Sequence, residues 1–433
     1  MEAFIIEGGH PLSGTIKANG NKNAALKLIP ACLLTDQPVI LHNVPNILDV
    51  RVMFKIIQDL GVEVTHLGDH SWRVHAHNLT KTALDPLLAE RIRASFVLSG
   101  PMLARVGEIT LPLPGGDRIG GRPLDTHMQG LQALGGEFEF RQEGLFHIYT
   151  AGLKGAGYLL QAEASVTATE NTLMAAVTAR GETIIDNAAS EPHVQDLCNM
   201  LCQMGAQITG IGTSRLIIEG VDKLNGTAFT IGADFMEVGS LIGAAAVTGG
   251  EIRIQNAAPQ NMHMINLVYG RLGVRWEVDG DDIIVPANQK MEIEQTLAGR
   301  VLEIKPMPWP GFPPDLMSIA VVLATQSTGS ILLHDWMYES RFFFTDRLVF
   351  MGARIVLCDP HRVIIQGKSP LYAPSSAIVS PDIRAGMAMV LAGLCAEGNT
   401  EIRNIHQIDR GYEDVVGRFS QLGANIQRIT VGN

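Results

Sequence analysis

Charged and aromatic residues are scarce in this chain. Of its 433 residues, 18% are charged and 6% are aromatic, and the formal net charge is −11 at pH 7. General nucleic-acid binding needs a basic face that neutralises phosphates, so the composition argues against that class. A small anionic substrate stays open, because a few arginines in one cleft reverse the local field. A hydrophobic content of 46% supports a sizeable core, spread over roughly two or three domains.

Cysteine is rare as well, and the five cysteines are scattered along the chain. They form no pair of Cys-x-x-Cys motifs, so we expect no zinc framework. Cys198 and Cys202 are spaced as i and i+4, which favours buried thiols on a helix face and a reducing cytoplasm. The thirteen histidines include no His-Glu-x-x-His motif. We therefore expect no metal site, and the expectation of no organic cofactor depends on the resemblance given below.

Long apolar runs are missing too. The longest run of small apolar residues, GSLIGAAAVTGG at 239–250, is too short to span a bilayer. The N-terminal stretch MEAFIIEGGHPLSG has neither the basic region nor the apolar core of a secretory signal. These features lead us to expect a cytoplasmic protein without membrane insertion.

Glycine is abundant, with 45 residues, and it marks a six-fold repeat. A hydrophobic residue, a glycine and an alternating run recur about every 70 residues, a period longer than that of the common solenoids. The six copies read DLGVEV, ALGGEF, QMGAQI, RLGVRW, FMGARI and QLGANI. The spacing indicates a small α/β unit that is repeated six times.

Each repeat can be extended upstream. An apolar helix comes first, then a short strand, a second helix that ends at the glycine, and the alternating strand. The glycine falls where a left-handed residue closes a helix, and the spacing predicts β-α-β-α-β units with parallel crossovers. The first helices are apolar nearly all round, so they should be buried. We predict an α/β fold in two groups of three repeats, with helices inside and sheets outside.

The few polar residues of these apolar helices cluster at the N-terminal ends. Helix N-termini carry free N–H groups and a partial positive charge, so they attract anions. Loops that follow the next strands should lie at the same end of each domain, and they contribute Arg122, Arg341 and Arg410. The residues at the helix starts are Lys22, Asn23, Arg93, Ser165, Asp234, Glu237, Asp315, Asp382 and Arg384.

Two interpretations of these residues stay open. Asp234, Asp315 and Asp382 are well placed to cap helices, and Arg384 and Arg410 have acidic neighbours with which they could form structural ion pairs. The alternative is one site for a substrate with several negative charges. Recurrence of cations at equivalent places in four repeats favours the anion site.

Several of these stretches resemble one family. The motifs NGNKNAAL, LPGGDRIGGRPLD, FPPD, SPDIRAG and HQIDRGYED resemble, in this order and over essentially the whole chain, the enolpyruvyl transferases. The likeness is greater to the branch that acts on UDP-N-acetylglucosamine than to the shikimate-pathway branch. It implies an inside-out α/β barrel with two domains that close over the substrate, one at 22–232 and one at 1–21 plus 233–433.

The resemblance also implies a reaction. The enolpyruvyl group of phosphoenolpyruvate would be transferred to the 3-hydroxyl of UDP-N-acetylglucosamine, with release of phosphate through a tetrahedral intermediate. This is the first committed step of peptidoglycan synthesis, and thereby of cell-wall biogenesis, cell shape, the cell cycle and cell division. Two alternatives remain: a paralogue with a different hydroxyl acceptor, and a non-catalytic ligand-binding paralogue.

Roles carried over from the family fall into two sets. For phosphoenolpyruvate, they are Lys22, Arg122 and Arg410 for the phosphate, Arg341 and Arg384 for the carboxylate side, and Arg93 for the same anion cluster. For the nucleotide sugar, they are Asn23 and Asp315 for the glucosamine ring, Arg122, Pro123, Leu124 and Asp125 for the uridine pocket, Ser165 and Val166 for the diphosphate, and Met337 and Asp382 as further contacts. Asp315 is the expected base for the sugar hydroxyl.

Asp117 stands in the glycine-rich loop where most family members have cysteine. It is either a solvated turn residue or a general acid, on a mobile lid, that delivers a proton to C3 of phosphoenolpyruvate. The second interpretation implies resistance to fosfomycin, an epoxide that alkylates the usual cysteine. Further departures from the family pattern, which bear on the acceptor, are Glu163 for lysine, Thr167 for glycine, Trp309 for histidine and Phe235 for arginine.

Overall fold

A computed structural model describes residues 2–117, 119–141 and 144–432. Short strands account for much of the chain. In chain order they are β1 (Glu2–Glu7), β2 (Ser13–Lys17), β3 (Val39–His42), β4 (Glu63–Gly68), β5 (Ser71–His75), β6 (Glu108–Pro112), β7 (Glu137–Arg141), β8 (Leu145–Tyr149), β9 (Leu159–Leu160), β10 (Glu182–Asp186), β11 (Gln207–Thr209), β12 (Arg215–Glu219), β13 (Ala228–Thr230), β14 (Glu251–Gln255), β15 (Glu277–Asp279), β16 (Asp282–Val285), β17 (Leu302–Ile304), β18 (Gly329–His334), β19 (Ile355–Asp359), β20 (Arg362–Gly367), β21 (Ile378–Val379), β22 (Asn399–Arg403) and β23 (Asn425–Thr430).

Helices alternate with these strands. They are α1 (Lys22–Ala31), α2 (Leu48–Asp59), α3 (Pro86–Ala89), α4 (Ser99–Val106), α5 (Asp125–Ala133), α6 (Val166–Ala176), α7 (Pro192–Gln203), α8 (Phe235–Thr248), α9 (His263–Arg271), α10 (Met317–Gln326), α11 (Thr345–Phe350), α12 (Ile383–Cys395), α13 (His406–Asp409) and α14 (Val415–Gln421). Short 3-10 turns occupy Cys32–Leu34, Arg93–Leu98, Pro259–Asn261 and Pro314–Leu316. Within the described residues, no helix has the length and apolar character needed to cross a membrane.

The chain divides into two compact lobes. The N-terminal lobe comprises residues 20–117 and 122–232, and the C-terminal lobe comprises 2–19, 119–121 and 233–432. These boundaries group residues 20–21 and 119–121 differently from the ranges expected from the sequence. That residues 22–232 and residues 1–21 plus 233–433 form two domains stays a prediction.

Each lobe contains three small sheets of one common design. In the N-terminal lobe the strand orders are β13-β3-β5-β4, β11-β12-β10-β9 and β6-β8-β7, and in the C-terminal lobe they are β21-β22-β1-β23, β15-β16-β14-β2 and β17-β18-β20-β19. A parallel pair lies at one edge, as for β13 and β3, and an antiparallel hairpin completes the sheet, as for β5 and β4. In the three-stranded sheet, an isolated parallel bridge between Ala83 and Thr110 takes the place of the fourth strand.

The hairpin explains one error in the predicted repeat. Strands β3 and β4 run in the same direction, as expected for a crossover through α2, but β5 lies between them and pairs antiparallel with both. In five of the six repeats the alternating run after the glycine is therefore folded back as two strands, whereas after Gly423 the single strand β23 pairs antiparallel with β1. A single pattern of alternation does not reveal the turn within it.

The six apolar helices form the centres of the two lobes, as predicted. Every residue of α10 is buried, and so is every residue of α12 except its last, Cys395. The two helices pack against each other and against α8 in the C-terminal core. Helices α1, α4 and α6 contribute buried residues to the N-terminal core. Because sheets flank buried helices in each lobe, the inside-out α/β architecture is confirmed.

The expectation of almost uncharged helix bodies is wrong at one place. Lys27 of α1 and Glu170 of α6 are both buried and form an ion pair at 3.3 Å. Burial raises the pKa of Glu170 to about 7, although Lys27 opposes this shift. The ion pair joins side chains of two different helices, which a count of charges within each helix does not reveal.

Glycines close the second helix of every repeat, as predicted. The six residues just past the C-caps all have φ between +85° and +108°, the region that favours glycine. They are Gly61, Gly135, Gly205, Gly273, Gly352 and Gly423.

A second repeated feature is an asparagine with φ near +55° directly after the inner strand of the parallel pair. The side chains of Asn43, Asn187 and Asn404 each donate to a carbonyl just past the partner strand, of Ile231, Gln161 and Ser380 respectively, at 2.7–3.0 Å. Asparagine tolerates the left-handed conformation and supplies the donor. The start of each following central helix is thereby tied to the preceding sheet.

Candidate active site

Two buried arginines share one carboxylate in the C-terminal lobe. Asp315 lies in the 3-10 turn before α10, and its Oδ2 accepts from Nε of Arg384 at 2.9 Å. Its Oδ1 accepts from Nη2 of Arg341 at 3.3 Å. The arginines are 2% and 4% exposed, whereas the Asp315 side chain is 29% exposed. The carboxylate is therefore the most exposed part of this triad.

The two guanidinium groups keep their charge despite burial. Burial works against charge on Arg341, but the nearby carboxylates of Asp315 and Asp382 raise its pKa. Burial likewise opposes charge on Arg384, and Tyr412 and Asp315 raise its pKa. Both arginines also lie over aromatic rings, of Tyr338 at 5.2 Å and of Tyr412 at 5.4 Å.

Some donors of these arginines are not used by the protein. Among the described residues, Nε of Arg341 and Nη1 of Arg384 are buried and have no hydrogen-bond partner. Nε of Arg341 forms an ion pair with Oδ2 of Asp335 at 3.7 Å, an oxygen that is likewise buried without a hydrogen-bond partner. Nη1 of Arg384 is thus the buried cationic donor that most lacks an acceptor, and such a donor is costly to bury.

Asp335 directly follows β18 and orders the segment that leads to Arg341. It is fully buried, and its Oδ1 accepts from the backbone N–H groups of Met337 and Tyr338 at 3.0 and 3.1 Å. Burial raises the pKa of Asp335, although the charge of Arg341 opposes the shift. Met337 is half-buried in this turn. The sequence analysis missed Asp335, whose position right after a strand was the available signal.

The three helix-start aspartates have different roles. Asp382 caps α12 by accepting from the N–H groups of Arg384 and Ala385 at 2.8 and 2.9 Å, and Asp234 caps α8 in the same way. Asp315 caps no helix and pairs with arginines instead. The capping interpretation thus holds for two of the three.

The structure shows other partners for these charged residues. Arg384 pairs with Asp315. Asp409 pairs with Arg428 at 2.6 Å, while Nη1 of Arg410 donates to Gln407 at 2.8 Å. Arg410 is half-buried at the end of α13.

In the N-terminal lobe, α1 begins at Lys22. The side chain of Asn21 caps the helix by accepting from Ala24 N–H at 3.0 Å. Nζ of Lys22 is nearly buried and lies 2.9 Å from Oδ2 of Asp49, which is in the first turn of α2. Asn23 is half-buried. The ammonium of Lys22 is thus held in one place at a helix start.

The glycine-rich loop packs closely on the segment that contains Arg93. A Cβ on Gly115 would lie 1.6 Å from the carbonyl oxygen of Glu90, and Gly116 has φ +104° with Arg93 3.0 Å from its virtual Cβ. The glycines are therefore needed for close approach and for backbone conformation. Half-buried Asp117 follows directly, and the proposed motion of a lid stays a prediction.

Arg93 does not open an α-helix as expected, since a 3-10 turn starts there. Its guanidinium donates to the carbonyls of Arg122 and Pro123, the latter at 3.4 Å. Arg93 therefore positions the end of the loop, just before α5. Arg122 itself is half-buried, Pro123 is exposed and Leu124 is buried.

Helices α5 and α6 both begin at residues expected to contact the nucleotide. Asp125 is exposed in the first turn of α5. Ser165 caps α6 by accepting from Ala168 N–H at 3.4 Å, and half-buried Val166 opens that helix. The free N–H groups of the first turn of α6 suit a diphosphate.

A buried polar network joins these two helix starts. Nδ2 of Asn171 donates to Nδ1 of His127 at 3.1 Å, so Nε2 of the imidazole carries the proton and donates to Thr167 Oγ1 at 3.0 Å. Burial, followed by the charges of Arg93 and Lys27, lowers the pKa of His127 to about 3. The sequence analysis missed this residue, because no local motif marks a histidine that bridges two helices.

Two of the departures from the family pattern contact each other. The rings of Phe235 and Trp309 lie 5.7 Å apart, with Phe235 fully buried. Glu163 is exposed, and Thr167 is the residue that accepts from His127. The two rings therefore lie close to each other at the C-terminal core.

Comparisons with known proteins agree with this architecture. Residues 6–419 match the family described as EPSP synthase (3-phosphoshikimate 1-carboxyvinyltransferase). A UDP-N-acetylglucosamine 1-carboxyvinyltransferase of Borreliella burgdorferi is 51% identical over 429 residues, with 99% of each chain covered, and one of Treponema denticola is 50% identical over 427 residues with the same coverage. The solved enolpyruvyl transferase NikO of Streptomyces tendae has the same fold, with a TM-score of 0.88 at 22% identity over 100% of this chain and 99% of that chain.

The six-repeat fold, with polar and charged residues at the starts of its central helices, is that of the carboxyvinyl transferases. The chain belongs to the enolpyruvyl transferase family of EPSP synthase, and its closely similar relatives are UDP-N-acetylglucosamine 1-carboxyvinyltransferases. It is an enzyme of the transferase class. The resemblance found in the sequence is confirmed.

Proposed function

We propose that the protein transfers the enolpyruvyl group of phosphoenolpyruvate to the 3-hydroxyl of UDP-N-acetylglucosamine and releases phosphate. The observation that carries this function is the triad of Asp315, Arg341 and Arg384, in which buried cations leave donors for an anion and an exposed carboxylate lies beside them. Relatives about half identical over almost the full length bear the name of this activity. We place the reaction in peptidoglycan synthesis in the cytoplasm, and through it in cell-wall growth and division.

The first step is an addition. Asp315 accepts the proton of the sugar 3-hydroxyl while the oxygen forms a bond to C2 of phosphoenolpyruvate, and C3 receives a proton to become a methyl group. Asp117 supplies that proton. The guanidinium groups of Arg341 and Arg384 hold the carboxylate of the substrate, for which Nη1 of Arg384 offers a donor that has no hydrogen-bond partner in the protein.

The second step is an elimination. The tetrahedral intermediate loses phosphate from C2 and a proton from C3, so the double bond is restored in the product. Lys22, Arg122 and Arg410 stabilise the charge of the departing phosphate. Lys22 is held by Asp49 before substrate binds, so little ordering is needed at that position.

Nucleotide binding falls to the starts of α5 and α6. The segment from Arg122 to Asp125, with exposed Pro123 and Asp125, receives the uridine, and the N-terminus of α6 at Ser165 receives the diphosphate. The hydrogen bond between His127 and Thr167 holds the starts of α5 and α6 together. Glu163 adds a negative charge near this end of α6.

An acceptor panel tests the proposal. Purified protein is incubated with phosphoenolpyruvate and, separately, with UDP-N-acetylglucosamine, with 3-phosphoshikimate or with no acceptor, and phosphate release is followed. We expect release only with the nucleotide sugar. Release with 3-phosphoshikimate alone would favour a different acceptor, and phosphoenolpyruvate binding without release in any arm would favour a ligand-binding paralogue.

A further inference from the structure

Two histidines and a glutamate meet on the sheet of β4 and β5 in the N-terminal lobe. Glu63 is paired directly with His75 in the antiparallel register. His77 follows two residues later, and its ring lies 4.6 Å from that of His75. Among the described residues, these three are the one set of histidine, cysteine or acidic side chains with metal-binding proximity. None of them belongs to the candidate active site.

The distances suit a transition metal. All three potential ligand atoms lie within 4.8 Å of one another. Nδ1 of His75 is 3.5 Å from Oε2 of Glu63, and Nε2 of His77 is 3.9 Å from Oε1 of the same carboxylate. Ligand atoms around a tetrahedral Zn²⁺ are separated by about 3.3 Å. Small side-chain rotations are enough to reach that spacing.

A hydrogen bond fixes which nitrogen of His75 is available. Its Nε2 lies 3.0 Å from the backbone carbonyl of Asp36, which can only accept, so Nε2 carries a proton. In the neutral imidazole the lone pair is then on Nδ1, which faces Glu63. A lone pair that faces a carboxylate is repulsive unless a positive charge, either a proton on Nδ1 or a metal ion, lies between them. In metal-bound histidines, the ring nitrogen that does not bind the metal commonly donates to a backbone carbonyl, as Nε2 of His75 does here.

We propose that Glu63, His75 and His77 form a binding site for a divalent transition metal of the Zn²⁺ type. Three protein ligands leave a fourth position open to water, since His77 and Glu63 are about half exposed. The bound metal joins β4 to the segment after β5 and so stabilises the folded N-terminal lobe. The sequence analysis expected no metal ligands, because the glutamate and the histidines are twelve and more residues apart in the chain. This site is independent of the proposed transfer reaction.

Metal titration of protein without an affinity tag tests the site. Co²⁺ is used as a spectroscopic probe by visible absorption, and Zn²⁺ as its competitor. We expect one site in the unsubstituted protein, and affinity at least about tenfold weaker in Glu63→Gln and in His77→Gln. Both side chains are exposed, so these substitutions leave the core intact. His334→Gln is the matched control, because His334 pairs with Glu303 at 3.2 Å without a second histidine.

A second readout is the thermal unfolding temperature with and without Zn²⁺. The rise on addition of Zn²⁺ should occur in the unsubstituted protein and in His334→Gln, and be lost in the two site variants. Absence of Co²⁺ binding to the unsubstituted protein would overturn the proposal. Equal binding in the site variants and the control would overturn it as well, since the metal would then be held elsewhere. In either case Glu63, His75 and His77 would form ordinary histidine–glutamate ion pairs and no metal site.

Discussion

Asp315 brings together two functions that are usually separate, a partner for buried cations and a candidate base. Its two oxygens accept from two different arginines, so its orientation is set from both sides. It is nevertheless the most exposed member of the triad. A carboxylate in that position can exchange one hydrogen bond for the substrate hydroxyl without being displaced.

Replacement of Arg384 by lysine tests the buried cation. Lysine keeps the charge but cannot keep the Nε contact to Asp315 and offer a further donor. Each charged hydrogen bond contributes about 1.5–3 kcal/mol, so we expect kcat/KM for phosphoenolpyruvate to fall by about tenfold or more. The control is Arg362→Lys, which affects an exposed arginine paired with Asp359. Equal kinetics in the two variants would remove Arg384 from the site.

Asp117 is tested by two substitutions with opposite expectations. Asp117→Cys keeps a group able to transfer a proton and should retain activity. Asp117→Asn cannot donate as an acid and should lose about 100-fold or more in kcat, the usual contribution of a positioned acid. Steady-state kinetics of both variants give the answer. An Asn variant with full activity would make Asp117 a turn residue.

Sensitivity to fosfomycin should also depend on the residue at position 117. A carboxylate is a much weaker nucleophile than a thiolate, so we expect no time-dependent inactivation of the unsubstituted protein. Asp117→Cys should be inactivated and gain one covalent adduct in the intact mass. A covalent adduct at Asp117 itself would contradict the expected resistance.

At the scale of elements, helix starts are positioned by polar contacts that cross the repeats. His127 ties α5 to α6, and Arg93 ties the glycine-rich loop to the residues before α5. Asn43, Asn187 and Asn404 make comparable contacts in three repeats, since each donates to a backbone carbonyl just past the neighbouring strand. The ligand-binding ends of the helices are thus fixed by side chains that never need to touch a ligand.

The buried imidazole of His127 predicts a pH dependence. Its pKa is about 3 in the fold against about 6.5 in the unfolded chain, so the folded state binds fewer protons. The stabilisation is therefore complete above pH 6.5 and is lost as the pH falls towards 3. Between pH 8 and pH 5 the free energy of unfolding should fall by about 2 kcal/mol from this group. Urea unfolding of His127→Gln, which keeps an N–H donor but does not titrate, should lack that decrease. An unchanged pH slope would show that His127 is not buried as a neutral group.

The left-handed asparagines predict a graded loss of stability. Asn404→Ala loses the bond to the Ser380 carbonyl, about 1 kcal/mol, and places a residue with a Cβ at φ +59°, which costs about 1–2 kcal/mol more. Asn404→Gly loses only the bond and gains chain entropy in the unfolded state. Urea unfolding should rank the alanine variant below the glycine variant. The reverse order would mean that the backbone conformation carries no strain.

At the scale of the whole molecule, the repeated pattern was the informative signal. Six glycines at a constant place predicted the helix ends, and all six have positive φ. Apolar helices predicted the two cores, because helices without a polar face must be buried. The extra hairpin strand β5 and its equivalents were missed, since one alternating run looks the same whether or not it turns back.

Contacts between distant residues could not be read from the chain. The Lys27–Glu170 pair, the His127 network and the Glu63, His75 and His77 set each join residues brought together only by folding. Candidate site residues were chosen because they begin helices or follow strands. Their geometry decides between capping and binding, as the contrast of Asp382 with Asp315 illustrates.

The chemical structure of the reaction product tests the central claim most directly. The protein is incubated with phosphoenolpyruvate and UDP-N-acetylglucosamine, and the nucleotide sugar is analysed by mass spectrometry and NMR. We predict one carboxyvinyl ether on the 3-oxygen of the sugar and one phosphate released for each ether formed. An unmodified nucleotide sugar, or a carboxyvinyl group on another oxygen, would contradict the account.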